Sequence, residues 1–277
     1  MRKTLRLLSM VTVLGLAAIP AAYAGTLYAV SGSGNAASVL YILDSTTGGV
    51  LQTVGATGFS HVTGLAINPT TGQMYGQVSD AFGSGGTQLL SIDKNTGAGT
   101  VIGSTGEQIP DMTFNAAGVL FAWSESGANG NDYLITLNLA TGAPSFIGTN
   151  NVSTSNTGLA FDRNGILWLK PGGSLYTLNT TTGIGTFVEG LSGSPQNALA
   201  FDQNNVAFTV TRNGSNSTLQ TIDIGTGNVN TVGSIGVGSI SALAFDLGAP
   251  VPEPGTLSLA GLAFGGLALT LRKRRNA

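Results

Sequence analysis

The amino-acid sequence predicts an all-β fold, a five-bladed β-propeller whose last blade is shared by the two ends of the chain. Three observations predict it. A short apolar strand ending in an acid or Asn recurs five times, at 64–68, 111–115, 158–162, 198–202 and 242–246, and its central residues Leu65, Met112, Leu159, Leu199 and Leu243 lie 47, 47, 40 and 44 positions apart. A repeat of that length is a supersecondary unit that buries its apolar face only against neighbouring copies. Further strand-like runs follow the repeated strand, and four short antiparallel strands per repeat is the pattern of a propeller blade. The fifth copy has no such runs after it, whereas the region from Gly25 opens with runs that have no first strand before them.

The third repeat shows the elements most clearly. Leu159–Asp162 is a strand, Arg163-Asn164-Gly165 a turn and Ile166–Leu169 a second strand. Pro171-Gly172-Gly173 is a loop, Ser174–Leu178 a third strand, Asn179 to Gly183 a turn and Gly185–Val188 a fourth strand. Alternation of apolar and polar residues and Gly-bearing turns are the hairpin signal. An Asx-x-x-Thr-Gly turn recurs at Asp44, Asp93, Asn138, Asn179 and Asp223. The Asx side chain caps the turn and Gly supplies a positive φ. Acids repeated at such places could ligate calcium, but Asn stands in two of the five copies and a turn needs no charge, so a structural turn is expected. At the front, Thr26–Val30, Val39–Leu43 and Leu51–Val54 supply the three strands that the copy at 242–246 lacks. A ring closed in this way hides its inner edges. The competing architectures are an open solenoid and a large sandwich.

Composition agrees. The chain of 277 residues can bury a substantial core, its charged fraction is only 9%, and 42 residues are Gly, which fits short strands and many turns. Cysteine is absent, which removes disulfides and thiolate metal sites. Basic residues crowd the ends. Between Gly25 and Pro250 four basic residues stand against twelve acidic ones, a net of −8. Such a domain repels nucleic acid and anionic surfaces.

Residues 1–24 read as a secretory signal peptide: Arg2, Lys3 and Arg6, an apolar run from Leu7 to Ile19, then Ala22-Tyr23-Ala24 before the expected cut, made by signal peptidase. An uncleaved anchor is the alternative. At the other end, residues 251–277 hold three parts in order. Pro252-Glu253-Pro254 breaks regular structure, 256–271 is uncharged and rich in Leu, Ala and Gly, and Arg272-Lys273-Arg274-Arg275 closes the tail. Sixteen residues of helix span about 24 Å against a hydrocarbon core of about 30 Å, so the segment is a short transmembrane helix with its basic end in the cytoplasm.

This order of parts resembles the PEP-CTERM sorting tail. The resemblance implies recognition and cutting by an exosortase, a membrane-embedded protease, in a Gram-negative bacterium that makes exopolysaccharide. It also implies an exported protein held transiently at the inner membrane by 256–271 and then sent to the cell surface or extracellular matrix. A plain permanent anchor is the other reading. The middle of the chain, 25–250, resembles NHL- and YVTN-type propellers at the level of the fold. It lacks the Trp-Asp dipeptide of WD40 repeats.

Propeller ligands meet the face formed by loops entering the first strands and loops joining strands two and three. There the sequence places His61, Glu107 and Asp111, together with Asp80, Glu125, Asp132, Lys170 and Arg212. His61, Glu107, Asp111 and Asp80 are the candidate ligand face. No nucleophile elbow, zinc-binding histidine pair or phosphate loop is present, so no catalytic residue, metal or cofactor is assigned. Trp123 and Trp168 read as inter-blade core, with sugar stacking as the alternative. The function expected is an exported surface or matrix propeller with a binding or structural role in exopolysaccharide or biofilm, its partners a polysaccharide or surface protein. The alternative is a metal-dependent, lactonase-like propeller hydrolase.

Overall fold

The computed structural model describes residues 25–32, 37–79, 86–125, 132–149, 152, 154, 157–193, 197–211 and 214–248. The expected signal peptide with Ala22 and Ala24, Asp80, Arg212, Pro252-Glu253-Pro254 and the expected transmembrane segment 256–271 lie outside the described residues.

Apolar residues alternating at period two, bounded by capped turns, give twenty strands among the described residues. The chain opens with β1 (Thr26–Ser31), β2 (Val39–Leu43) and β3 (Val50–Ala56). Blade one is β4 (Val62–Ile67), β5 (Met74–Val78), β6 (Gln88–Ile92) and β7 (Gly99–Ser104). Blade two is β8 (Asp111–Phe114), β9 (Leu120–Ser124), β10 (Tyr133–Leu137) and β11 (Pro144–Thr149). Blade three is β12 (Gly158–Phe161), β13 (Leu167–Lys170), β14 (Ser174–Leu178) and β15 (Gly185–Gly190). Blade four is β16 (Asn197–Phe201), β17 (Ala207–Thr211), β18 (Thr218–Ile222) and β19 (Val229–Ser234). The last strand, β20 (Ile240–Asp246), joins the opening three in the order β20-β1-β2-β3 and completes blade five.

The clasp forms as expected, and its register sets Thr26 opposite Asp246, Leu27 opposite Phe245 and Ala29 opposite Leu243. The repeated strand is the innermost of each blade. β4, β8, β12, β16 and β20 touch in sequence and β20 returns to β4, so the ring closes around a central channel. Five apolar clusters fill the five spaces between blades; Trp123 and Leu134 of blade two, for instance, pack with Leu159 and Leu169 of blade three. Trp123 and Trp168 are both buried core residues.

Each Asx-x-x-Thr-Gly turn is capped as expected. The Asp93 carboxylate accepts from the Asn95 N–H at 2.7 Å, and the Asn138 side-chain oxygen accepts from the Ala140 N–H at 2.9 Å. These glycines have a second task that their φ alone does not reveal. Every outer strand carries a register shift in the same place against its neighbour, opposite Leu40/Tyr41, Leu89/Leu90, Leu134/Ile135, Leu175/Tyr176 and Leu219/Gln220. Where a Gly follows the bulged residue, it lies against the turn of another blade. A Cβ on Gly103 would sit 2.0 Å from the Thr141 carbonyl oxygen, and one on Gly142 would sit 2.7 Å from the Gly103 oxygen. Bulge and turn are thus fitted to each other across the blade interface. The bulges also twist the five exposed outer edges away from strand pairing.

Candidate functional site

The two ends of the channel differ in chemistry, and the difference starts from a single position in the repeat. At the first residue of β8 stands Asp111; the corresponding places on other inner strands hold Gly64, Gly158 and Ala242. Small residues there let the strands approach: a Cβ on Gly158 would lie 2.5 Å from the carbonyl carbon of Ala198, whose own φ is +61°. The Asp111 carboxylate occupies the space so left. Its Oδ1 accepts from the Met112 N–H at 2.9 Å, and its Oδ2 accepts from the N–H of Leu159 at 2.9 Å and of Leu199 at 3.3 Å. One side chain therefore ties blades two, three and four together at the channel.

Asp111 is 1% exposed, and burial pushes its carboxyl well above the usual range, opposed by the three N–H donors and by Lys170. Lys170 is not in a loop, as its place in the sequence implied. It is the last residue of β13, directly opposite Gly158 and fully buried. Burial pulls its ammonium down to about 7, with the Asp111 charge acting the other way. An acid and an amine are thus both buried at this end of the channel, and the Asp111 carboxylate is engaged by main-chain donors.

The remaining candidates are distributed around the loops. Glu107 accepts at Oε2 from the Ser124 hydroxyl and the Tyr133 hydroxyl, both at 2.7 Å. Burial, followed by the Glu107 acceptor, raises the Tyr133 phenol. Glu125 accepts from the Thr157 hydroxyl at 2.6 Å, and Asp132 accepts the Thr154 N–H at 2.8 Å. Burial, with Asp132 adding to it, raises the Glu125 carboxyl. Trp123 donates its indole N–H to the Thr154 hydroxyl at 2.9 Å. His61 is half-buried with φ +55°, and its carbonyl accepts from the Ser79 N–H at 3.1 Å. Among the described residues no three of His, Cys, Asp and Glu group so as to hold a metal ion.

At the opposite end, the acid or Asn that closes each repeated strand serves its turn. Asp162 Oδ1 accepts from the N–H groups of Asn164 and Ile166, each at 2.9 Å, and Asp202 does the same for Asn204 and Val206, each at 2.8 Å. Asp246 instead pairs with Lys94 of blade one at 2.5 Å. Between these turns the channel opens as an apolar mouth. A cavity of about 250 Å³ is lined by Leu65, Leu159 and Leu199 and, nearer the opening, by Phe114, Phe161 and Phe201. A wider cavity of about 630 Å³ shares those three phenylalanines and reaches Arg163, Leu247 and Gly248. The sequence places Lys170 in a loop of the ligand face and does not single out this mouth. The recurring Phe at the fourth place of the repeated strand was the available signal for the mouth.

Residues 250–275 match the PEP-CTERM protein-sorting motif. Comparison with curated proteins finds no match. Among solved structures the chain is similar to a chain of the nidogen/laminin complex, at 12% identity and a TM-score of 0.53, over 80% of this chain and 97% of that one. It is similar to a symmetrical protein from a study of de novo evolutionary emergence, at 18% identity and a TM-score of 0.52, over 83% of this chain and all of the other. Similarity to TolB from Acinetobacter baumannii, at 17% identity and a TM-score of 0.47, covers 79% of this chain but spans about half, 54%, of TolB. At these identities the likeness concerns the fold alone. The protein is a five-bladed β-propeller followed by a PEP-CTERM sorting motif, which implies an exported protein that an exosortase recognises.

Proposed function

We propose that the protein is an exported, non-catalytic propeller that acts by binding at the cell surface or in the extracellular matrix, with exopolysaccharide or another surface protein as its ligand. Its tail delivers it there after transient anchoring in the inner membrane by 256–271. The observation that carries the reading is the state of Asp111. A metal-dependent propeller hydrolase needs free carboxylates converging at the inner-strand ends. The carboxylate at that place in this chain is buried and engaged by the N–H groups of Met112, Leu159 and Leu199. Glu107, the nearest candidate in sequence, is held by Ser124 and Tyr133.

Two measurements test the proposal. Exported full-length protein should co-sediment with exopolysaccharide or envelope material from the producing cells. Calcium-dependent hydrolysis of lactones by the purified protein, without such co-sedimentation, would overturn it. Replacing Pro252, Glu253 and Pro254 with Ala should trap the protein at the inner membrane, and unchanged release to the medium would sink the sorting step.

A further inference from the structure

We infer that the apolar mouth of the channel is the docking site of the chain's own residues 249–254, the segment that carries Pro252-Glu253-Pro254. Three observations converge on this occupant. The first is where the chain leaves the fold. After β20, Leu247 and Gly248, the last described residues, line both mouth cavities. The second is surface chemistry. The mouth offers Phe114, Phe161 and Phe201, with Pro69 and the 37%-exposed Leu247 beside them. The departing sequence is Ala249-Pro250-Val251-Pro252-Glu253-Pro254. Aromatic-lined grooves accept proline-rich segments because fixed φ angles reduce the entropy lost on docking. The third is charge. Arg163, on the turn between β12 and β13, lines the wider cavity and is exposed. Among the described residues Lys94 is paired with Asp246 and Lys170 is buried, which leaves Arg163 as the exposed base at this rim, and Glu253 as its complement. Five residues beyond Gly248 in a polyproline conformation reach about 15 Å, enough to cross a cavity of about 630 Å³.

The consequence concerns how the sorting motif is presented. Docked, the motif lies on the propeller and must detach before a membrane protease can take it. Its exit point at the mouth exists only when β20 has paired with β1, so presentation of the motif is coupled to closure of the ring.

The chain has no cysteine, so introduced thiols report cleanly. In full-length protein in membranes of the producing cells, Val251→Cys combined with Ala117→Cys, an exposed residue of the wider cavity, should form a disulfide readily on mild oxidation. Val251→Cys combined with Gln108→Cys, exposed in the loop entering the other end of β8, should not. Arg163→Glu should slow the first reaction about fivefold, the scale of one exposed charge pair, and adding Glu253→Arg should restore it. Equal cross-linking to the two positions, or a rate indifferent to Arg163→Glu, overturns the proposal. So does quenching by nitroxide-labelled lipid of a fluorophore placed on Ala117→Cys, which would put the mouth against the bilayer instead.

Discussion

Asp111→Ala is the substitution that most directly tests whether one carboxylate closes the upper ring. It strands three buried main-chain N–H groups, each costing about 1–3 kcal/mol when left unsatisfied. It also removes the Asp111 charge that favours the protonated form of buried Lys170, at a cost of at most about 3–5 kcal/mol, that of a broken buried pair. Because Lys170 titrates at about 7, it can release its proton and relieve part of that second penalty. The two contributions overlap, and a loss of about 3–5 kcal/mol is expected, or about 6–20 °C in Tm for a domain of this size. Scanning calorimetry at pH 8 measures it. Asp111→Asn keeps the shape but turns an amide donor toward main-chain donors, so it should fall almost as far; a role of filling space alone would leave it near wild type. A loss below about 1 kcal/mol for Asp111→Ala would refute the reasoning.

Lys170→Met should change the pH dependence of stability. The native lysine titrates at about 7 and the unfolded one near its ordinary 10.5, so between them the unfolded chain binds more protons. Wild-type stability should therefore gain from this residue as pH rises from 7 to 9, by up to about 1.4 kcal/mol per unit, and the gain should vanish in Lys170→Met. Parallel pH curves of the two proteins in urea melts would contradict this. Gly103→Ala, which drives a Cβ into the Thr141 carbonyl, should cost more than about 2 kcal/mol, whereas Gly190→Ala, with nothing within 4 Å, should stay within about 0.5 kcal/mol. Equal urea midpoints for the two variants would remove the bulge–turn fit as an interface device. Lys94→Ala breaks a partly exposed ion pair to Asp246 and should cost no more than about 1 kcal/mol, read as a change in Tm that fades at high salt.

What the sequence made legible follows from which features repeat. The inner strand recurs with its Leu and its closing acid, so period alone places β4, β8, β12, β16 and β20 and exposes the missing strands of blade five. The clasp of β20 on β1 was legible for the same reason. The bulge was also present as a repeat, in Val54-Gly55, Ile102-Gly103, Ile147-Gly148 and Val232-Gly233, but a Gly in a strand has several explanations until its neighbour in another blade is known. Blade three departs from it with Val188-Glu189, and there the facing turn glycine Gly227 lies against Gly190 instead, a Cβ on it meeting the Gly190 carbonyl oxygen at 2.0 Å. The upper site lies beyond any periodic argument. Asp111 is the member of its ring that differs, and its partners are main-chain N–H groups 48 and 88 residues away, donors that every non-proline residue has and no sequence pattern marks. Lys170 ends an apolar run in the way that a solvent-facing lysine would. Opposite it stands Gly158, close against Ala198 of β16, and at that crowded place the lysine is buried. A non-repeating charge at a repeating position is thus the place where the ring stops being a sum of equivalent blades. The stability of this propeller should accordingly respond to Asp111 more sharply than to any of the five turn-closing acids or amides, although those recur and it does not.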